Sequence, residues 1–115
     1  MSPLDISGAI PMEAATAFGA WLDRNGQTAA EVLVAIYRKS SGLQGVTFTE
    51  LQEVALCHGW VDTQTKSIDD DRYAIRFVPR RLGSNWSPTN REMARRLLAE
   101  GRVLPSGRAA LPPDL

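Results

Sequence analysis

A chain of 115 residues has room for a single hydrophobic core, since domains run to about 100 to 200 residues. Its 43% hydrophobic and 23% charged residues are ordinary for a globular domain and exclude intrinsic disorder and collagen-like composition. Lys and Arg total 13 and Asp and Glu total 13, a formal charge of zero, so no overall field draws the protein toward nucleic acid or an anionic membrane.

The residues from Pro3 to Ser7 carry a weak strand signal. From Pro11 to Asn25, Ala14, Phe18, Trp21 and Leu22 recur at helical spacing, with Pro11 suited to a first turn and Gly26 to the residue past the end. Residues 31 to 38 are β-branched and apolar at both parities, which predicts a strand in mid-sheet covered on both faces. Thr47 and Glu50 have capping-box spacing, and the helix they open ends at Gly59.

Residues 60 to 68 and 72 to 79 favour strands, and the like charges of Asp69, Asp70 and Asp71 between them belong in a turn, so the pair predicts an antiparallel hairpin. Ser87 and Pro88 then offer an N-cap and a first-turn proline to a helix with Ala94, Leu97 and Leu98 on its buried stripe, ending at Gly101. The expected architecture is a single compact α+β domain over residues 1–110. It has a small mixed sheet of about four strands, a hairpin in the C-terminal half and three main helices. Residues 111–115 are expected to be a flexible tail outside the core.

The zero net charge hides an asymmetry. Residues 1 to 60 carry three basic and six acidic side chains, whereas residues 72 to 108 carry nine arginines against Glu92 and Glu100 alone. With one cysteine, Cys57, and one histidine, His58, neither an internal disulfide nor a four-ligand zinc site can be assembled, and no metal or cofactor is expected. Cys57 and His58 point about 100° apart on a helix and cannot form a nucleophilic dyad, so Cys57 reads as a small buried residue. The opening MSPLDISGAIPMEAATAFGAW has no basic n-region and no continuous apolar run, so a cytoplasmic chain without signal peptide or membrane span is expected.

Several segments together resemble the bacterial YdeI/OmpD-associated family, also labelled bacteriocin-protection proteins. They are Trp21-Leu22, the run from Ala55 to Asp62 with its Gly-Trp-x-Asp element, Arg76 to Arg81, and Ser84 to Asn90 with its Ser-Asn-Trp-Ser-x-x-Asn element. Ala99 to Arg102 and Gly107 complete the pattern. The resemblance implies an association with envelope stress or antimicrobial-peptide resistance, and no established reaction. Family descriptions also suggest a periplasmic location, which is not carried over to a chain without an export signal.

The stretch from Arg80 to Asn90 sets two arginines and several hydroxyl and amide side chains before a helix N-terminus, where free N–H groups and the helix dipole favour an anion. With the hairpin residues this gives a candidate anion-accepting pocket of Trp60, Asp62, Arg80, Ser84, Trp86, Ser87 and Asn90. Its partner would be a small anionic ligand or another protein. The same hydroxyls and amides also suit plain loop and cap hydrogen bonds, with Trp86 plugging the core.

Two competing readings stand beside the pocket. Arg80, Arg81, Trp86, Arg91 and Arg95 would make a surface for single-stranded nucleic acid, on which Arg91 and Arg95 repel one another while Arg96 has Glu92 as its i, i+4 partner. Asp62 facing a guanidinium of Arg76 or Arg80 across the hairpin would be either a structural ion pair or the core of a small enzyme. One carboxylate without a second acid is poor general acid-base machinery. Trp60, Asp62, Gln64 and Lys66 are expected along one strand face.

Overall fold

The computed structural model describes residues 5–81, 83 and 85–115. The elements are β1 (Ile10–Pro11), α1 (Ala15–Asn25), β2 (Val32–Tyr37), a 3-10 turn (Lys39–Ser41), α2 (Phe48–Cys57), β3 (Trp60–Ser67), β4 (Arg72–Pro79), α3 (Pro88–Ala99) and α4 (Pro105–Ala109). The sheet order is β1-β2-β4-β3, with β1 parallel to β2 and the other pairs antiparallel. The chain is therefore an α+β domain with a mixed four-stranded sheet and a hairpin in its C-terminal half.

The local signals place most elements. Thr47 accepts from the Glu50 amide while Glu50 reaches back to the Thr47 amide, a complete capping box on α2. Ser87 accepts from the Asn90 amide at 3.1 Å, with Pro88 in the first turn of α3. Asp69 turns the hairpin by accepting from the amides of Asp71 and Arg72 at 2.9 and 2.8 Å.

The N-terminal expectation needs correction. Residues 5 to 7 are no strand, because the Ser7 amide bonds the Asp5 side chain and the Ala9 amide the Ile6 carbonyl, folding the backbone into a turn. The first strand instead comprises Ile10 and Pro11, so Pro11 lies in the sheet and not in the first turn of α1. A proline without an amide donor is tolerated there because β1 is an edge strand. Pro3 and Leu4 of the expected segment lie outside the described residues.

The main core joins Phe18 and Leu22 of α1, Leu51 and Ala55 of α2, Val32, Val34 and Ile36 of β2, Ile75 and Phe77 of β4, and Trp60. β2 does sit between two strands, but α1 and α2 pack on the face of Val32, Val34 and Ile36. On the opposite face Ala35 is buried, whereas Leu33 and Tyr37 are only half-buried.

A second apolar cluster of Leu56, Cys57, Ala94 and Leu97 joins α2 to α3, with Trp86, Val103, Leu111 and Leu115 against it. The last five residues were expected outside the core. They place two leucines on this cluster, and Asp114 pairs with Arg91 at 3.1 Å. Glu53 of α2 pairs with Arg96 of α3 and lies 3.7 Å from Arg102, while Glu100 bonds both arginines. This network ties α3 and the segment after it to α2.

Candidate functional site

The segments singled out in the sequence converge where β3 begins and β4 ends. Trp60 pairs with Pro79 and Val61 with Val78, and the Arg80 amide donates to the Gly59 carbonyl at 2.8 Å. The hairpin register thus brings the Gly-Trp-x-Asp element beside the start of the arginine loop that leads to α3.

Within that convergence the residues divide. Trp60 is 2% exposed and belongs to the main core, its indole edge-on to Trp21 with centroids 6.0 Å apart and its N–H donating to the Gly26 carbonyl at 3.3 Å. It is a packing residue and no wall of an open pocket, because its only polar atom is used inside. Asp62 sits opposite Phe77, and its carboxylate accepts from Gln52 of α2 at 3.3 Å.

The expected hairpin ion pair is not formed by either arginine: Arg76 turns to Thr63 and to Glu31, at 3.3 and 3.4 Å, and Arg80 turns to Trp86. A bulge at Thr63, between Asp62 and Gln64, also breaks the expected face. Gln64 then pairs with Arg76 and Lys66 with Ala74, so both leave the side on which Trp60 and Asp62 lie.

The Arg80 guanidinium lies over the Trp86 ring, 3.7 Å from its centroid. Its Nε is buried and has no hydrogen-bond partner among the described residues. Burial pulls the guanidinium below its ordinary value, and the charge of Asp62 acts in the opposite sense without a contact. It remains a cation at neutral pH. Stacking on an indole fixes the plane of the guanidinium and leaves its N–H edge as the part that can meet a carboxylate or phosphate. Trp86 itself rests on the second cluster, so the stack stands on a packed base, one residue before the N-cap of α3. Ser87 and Asn90 are engaged there in the cap. Ser84 lies outside the described residues.

The arginine face is largely neutralised. Arg91 holds Asp114, Arg95 holds Glu92 at 3.4 Å, and Arg96 holds Glu53 and Glu100. The expected pairing of Arg96 with Glu92 is corrected: Glu92 is one turn from Arg95 at i, i+3, and Glu53 reaches Arg96 from the neighbouring helix. Arg91 and Arg95 are relieved of their mutual repulsion by separate acids. Arg81 is exposed.

His58 bonds the Val54 carbonyl through Nδ1 at 2.8 Å and Asp23 through Nε2 at 3.0 Å. Cys57 is buried, and burial raises its thiol above the ordinary range. Among the described residues no three His, Cys, Asp or Glu side chains are grouped to hold a metal ion, and no helix is long and apolar enough to cross a membrane.

Residues 10–110 match the family described as Domain of unknown function (DUF8412), and the chain belongs to that family. No curated protein and no solved structure matches it.

Proposed function

We propose that the protein is a small binding domain whose Arg80–Trp86 stack accepts an anionic group, a carboxylate or a phosphate. The observation that carries this reading is the Arg80 side chain, stacked on an indole with its Nε buried and unpartnered among the described residues. Buried donors are nearly always paired, and an orphan calls for a partner. The site has Arg80 and Trp86 at its centre, with the α3 N-terminus at Ser87 and Asn90 beside it in sequence. Asp62 contributes a field, and Trp60 supports the hairpin from inside.

The test is a titration with inorganic phosphate and with acetate, followed by amide and side-chain N–H spectra. Shifts at the Arg80 Nε–H and the Trp86 indole N–H, lost in Arg80→Ala, are expected. A folded protein in which neither signal moves with either anion would overturn the reading. Nucleic acid is the less favoured partner, because Arg91, Arg95 and Arg96 already hold carboxylates.

The resemblance to the YdeI/OmpD-associated family extends this proposal toward envelope stress or antimicrobial-peptide resistance. Its support is the Gly59 to Asp62, Arg76 to Arg81 and Ser84 to Asn90 segments. A strain lacking the gene should be more sensitive to cationic antimicrobial peptides, with complementation by the wild type and none by Arg80→Ala.

A further inference from the structure

A cleft of about 620 Å³ opens at the other end of β4, where Tyr73 lies near the strand start and the chain from Tyr37 to Thr49 folds over it. Small-molecule sites commonly occupy about 300–1,000 Å³. β4 has 8 residues, so at ~3.3 Å per residue this cleft is roughly 25 Å from Arg80. It is a different place from the stack.

Among the described residues two cations, Arg38 and Lys39, and no carboxylate line it. Arg38 donates from Nη2 to the Ser67 hydroxyl at 2.6 Å and from Nε to the Asp69 carbonyl at 3.3 Å, and lies 5.5 Å from the Tyr73 ring centroid. These partners are neutral, and Arg38 has no ion pair among the described residues. The nearby Asp69 carboxylate is occupied by the Asp71 and Arg72 amides and the Arg72 guanidinium. Lys39 is exposed, with no ion pair among the described residues.

Beyond the cations, the lining combines aromatic and aliphatic side chains with the polar Gln44, Thr47 and Thr49. Tyr37, Phe48 and Tyr73 are half-buried in the wall. Leu43 stands at the cleft 51% exposed, on a loop with no regular structure. Aromatic walls favour a flat apolar body, and the paired cations favour a charge on it.

We infer that this cleft is a second binding site, for a small organic anion with an aromatic body, using Arg38 and Lys39 for the charge and Tyr37, Leu43, Phe48 and Tyr73 for the ring. 1-Naphthyl phosphate is a suitable probe for the full chain, compared with 1-naphthol and inorganic phosphate. Binding should perturb the amides of Tyr37, Lys39 and Leu43 and be weaker for either fragment. Lys39→Glu should weaken it at least about tenfold, equivalent to about 1.4 kcal/mol, with an unchanged melting temperature. Leu43→Gln should weaken it independently, and Arg80→Ala should leave it intact. Three results would each overturn the inference: no binding of 1-naphthyl phosphate, affinity unaltered in both Lys39→Glu and Leu43→Gln, or perturbations confined to Arg80 and Trp86. The last would leave the anion reading of the stack standing.

Discussion

Gly107 lies so close to the backbone of Cys57 that a Cβ at its position would come 2.3 Å from the Cys57 carbonyl oxygen. That oxygen also accepts from the Leu104 amide at 3.0 Å, so α4 is docked on the end of α2 by backbone contact. Gly59 completes the approach: its φ is +81° and a Cβ there would lie 2.7 Å from the Ser106 carbonyl. Both glycines leave room that no other residue could leave, and Gly59 also adopts a left-handed turn after α2. Gly107→Ala should destabilise the protein by about 1–3 kcal/mol through overpacking against fixed backbone. Urea unfolding checks this, and an unchanged midpoint would show that α4 is not docked in this way.

Cys57 gives a prediction with a definite sign. Burial raises its thiol pKa, so above the ordinary thiol range of about 8.5 the unfolded chain loses a proton that the folded chain keeps. The unfolded state then binds fewer protons, and stability falls as pH rises through that range. The fall should be shallower in Cys57→Ala, measured by denaturant unfolding from pH 7 to 10. Native Cys57 should also resist alkylation, and Cys57→Ser should retain anion binding if it folds.

Two double-mutant cycles separate the partners of Arg80. Arg80 and Asp62 do not touch, so Asp62→Ala and Arg80→Ala should be nearly additive, whereas Arg80 with Trp86 should couple by about 0.5–2 kcal/mol. A coupling of several kcal/mol between Asp62 and Arg80 would mean that the hairpin ion pair forms after all.

Ser87→Ala should cost about 1 kcal/mol by removing the acceptor for the Asn90 amide. Its effect on phosphate affinity should be far smaller than that of Arg80→Ala, since the hydroxyl is spent on the cap. Thermal unfolding with and without phosphate measures both.

Oligonucleotide binding should be weak and disappear in moderate salt. Exposed charges are screened within about 10 Å at 0.1 M, and Arg91, Arg95 and Arg96 have acidic partners. Sequence-selective binding persisting near ~0.5 M salt, where screening is stronger still, would restore the nucleic-acid reading.

What the sequence determined by itself was set by caps, turns and periodicity between neighbours a few positions apart. The Thr47 and Glu50 box, Ser87 with Pro88, and the aspartate turn between two strand-favouring segments are all short-range, and so α2, α3 and the hairpin were legible. Tertiary structure decided what depends on distant pairing. A two-residue β1 forms at Ile10–Pro11 because β2 offers it hydrogen bonds, a preference too short to show in any periodicity. The bulge at Thr63 turns Gln64 and Lys66 away from Asp62. Glu53 meets Arg96 from 43 residues away, and α4 depends on space left by Gly107. At the candidate site, the sequence placed Arg80 and Trp86 in one loop. Only the fold stacked one on the other, withdrew Trp60 into the core, and gathered Arg38, Lys39 and Tyr73 around a cleft that no local pattern marks.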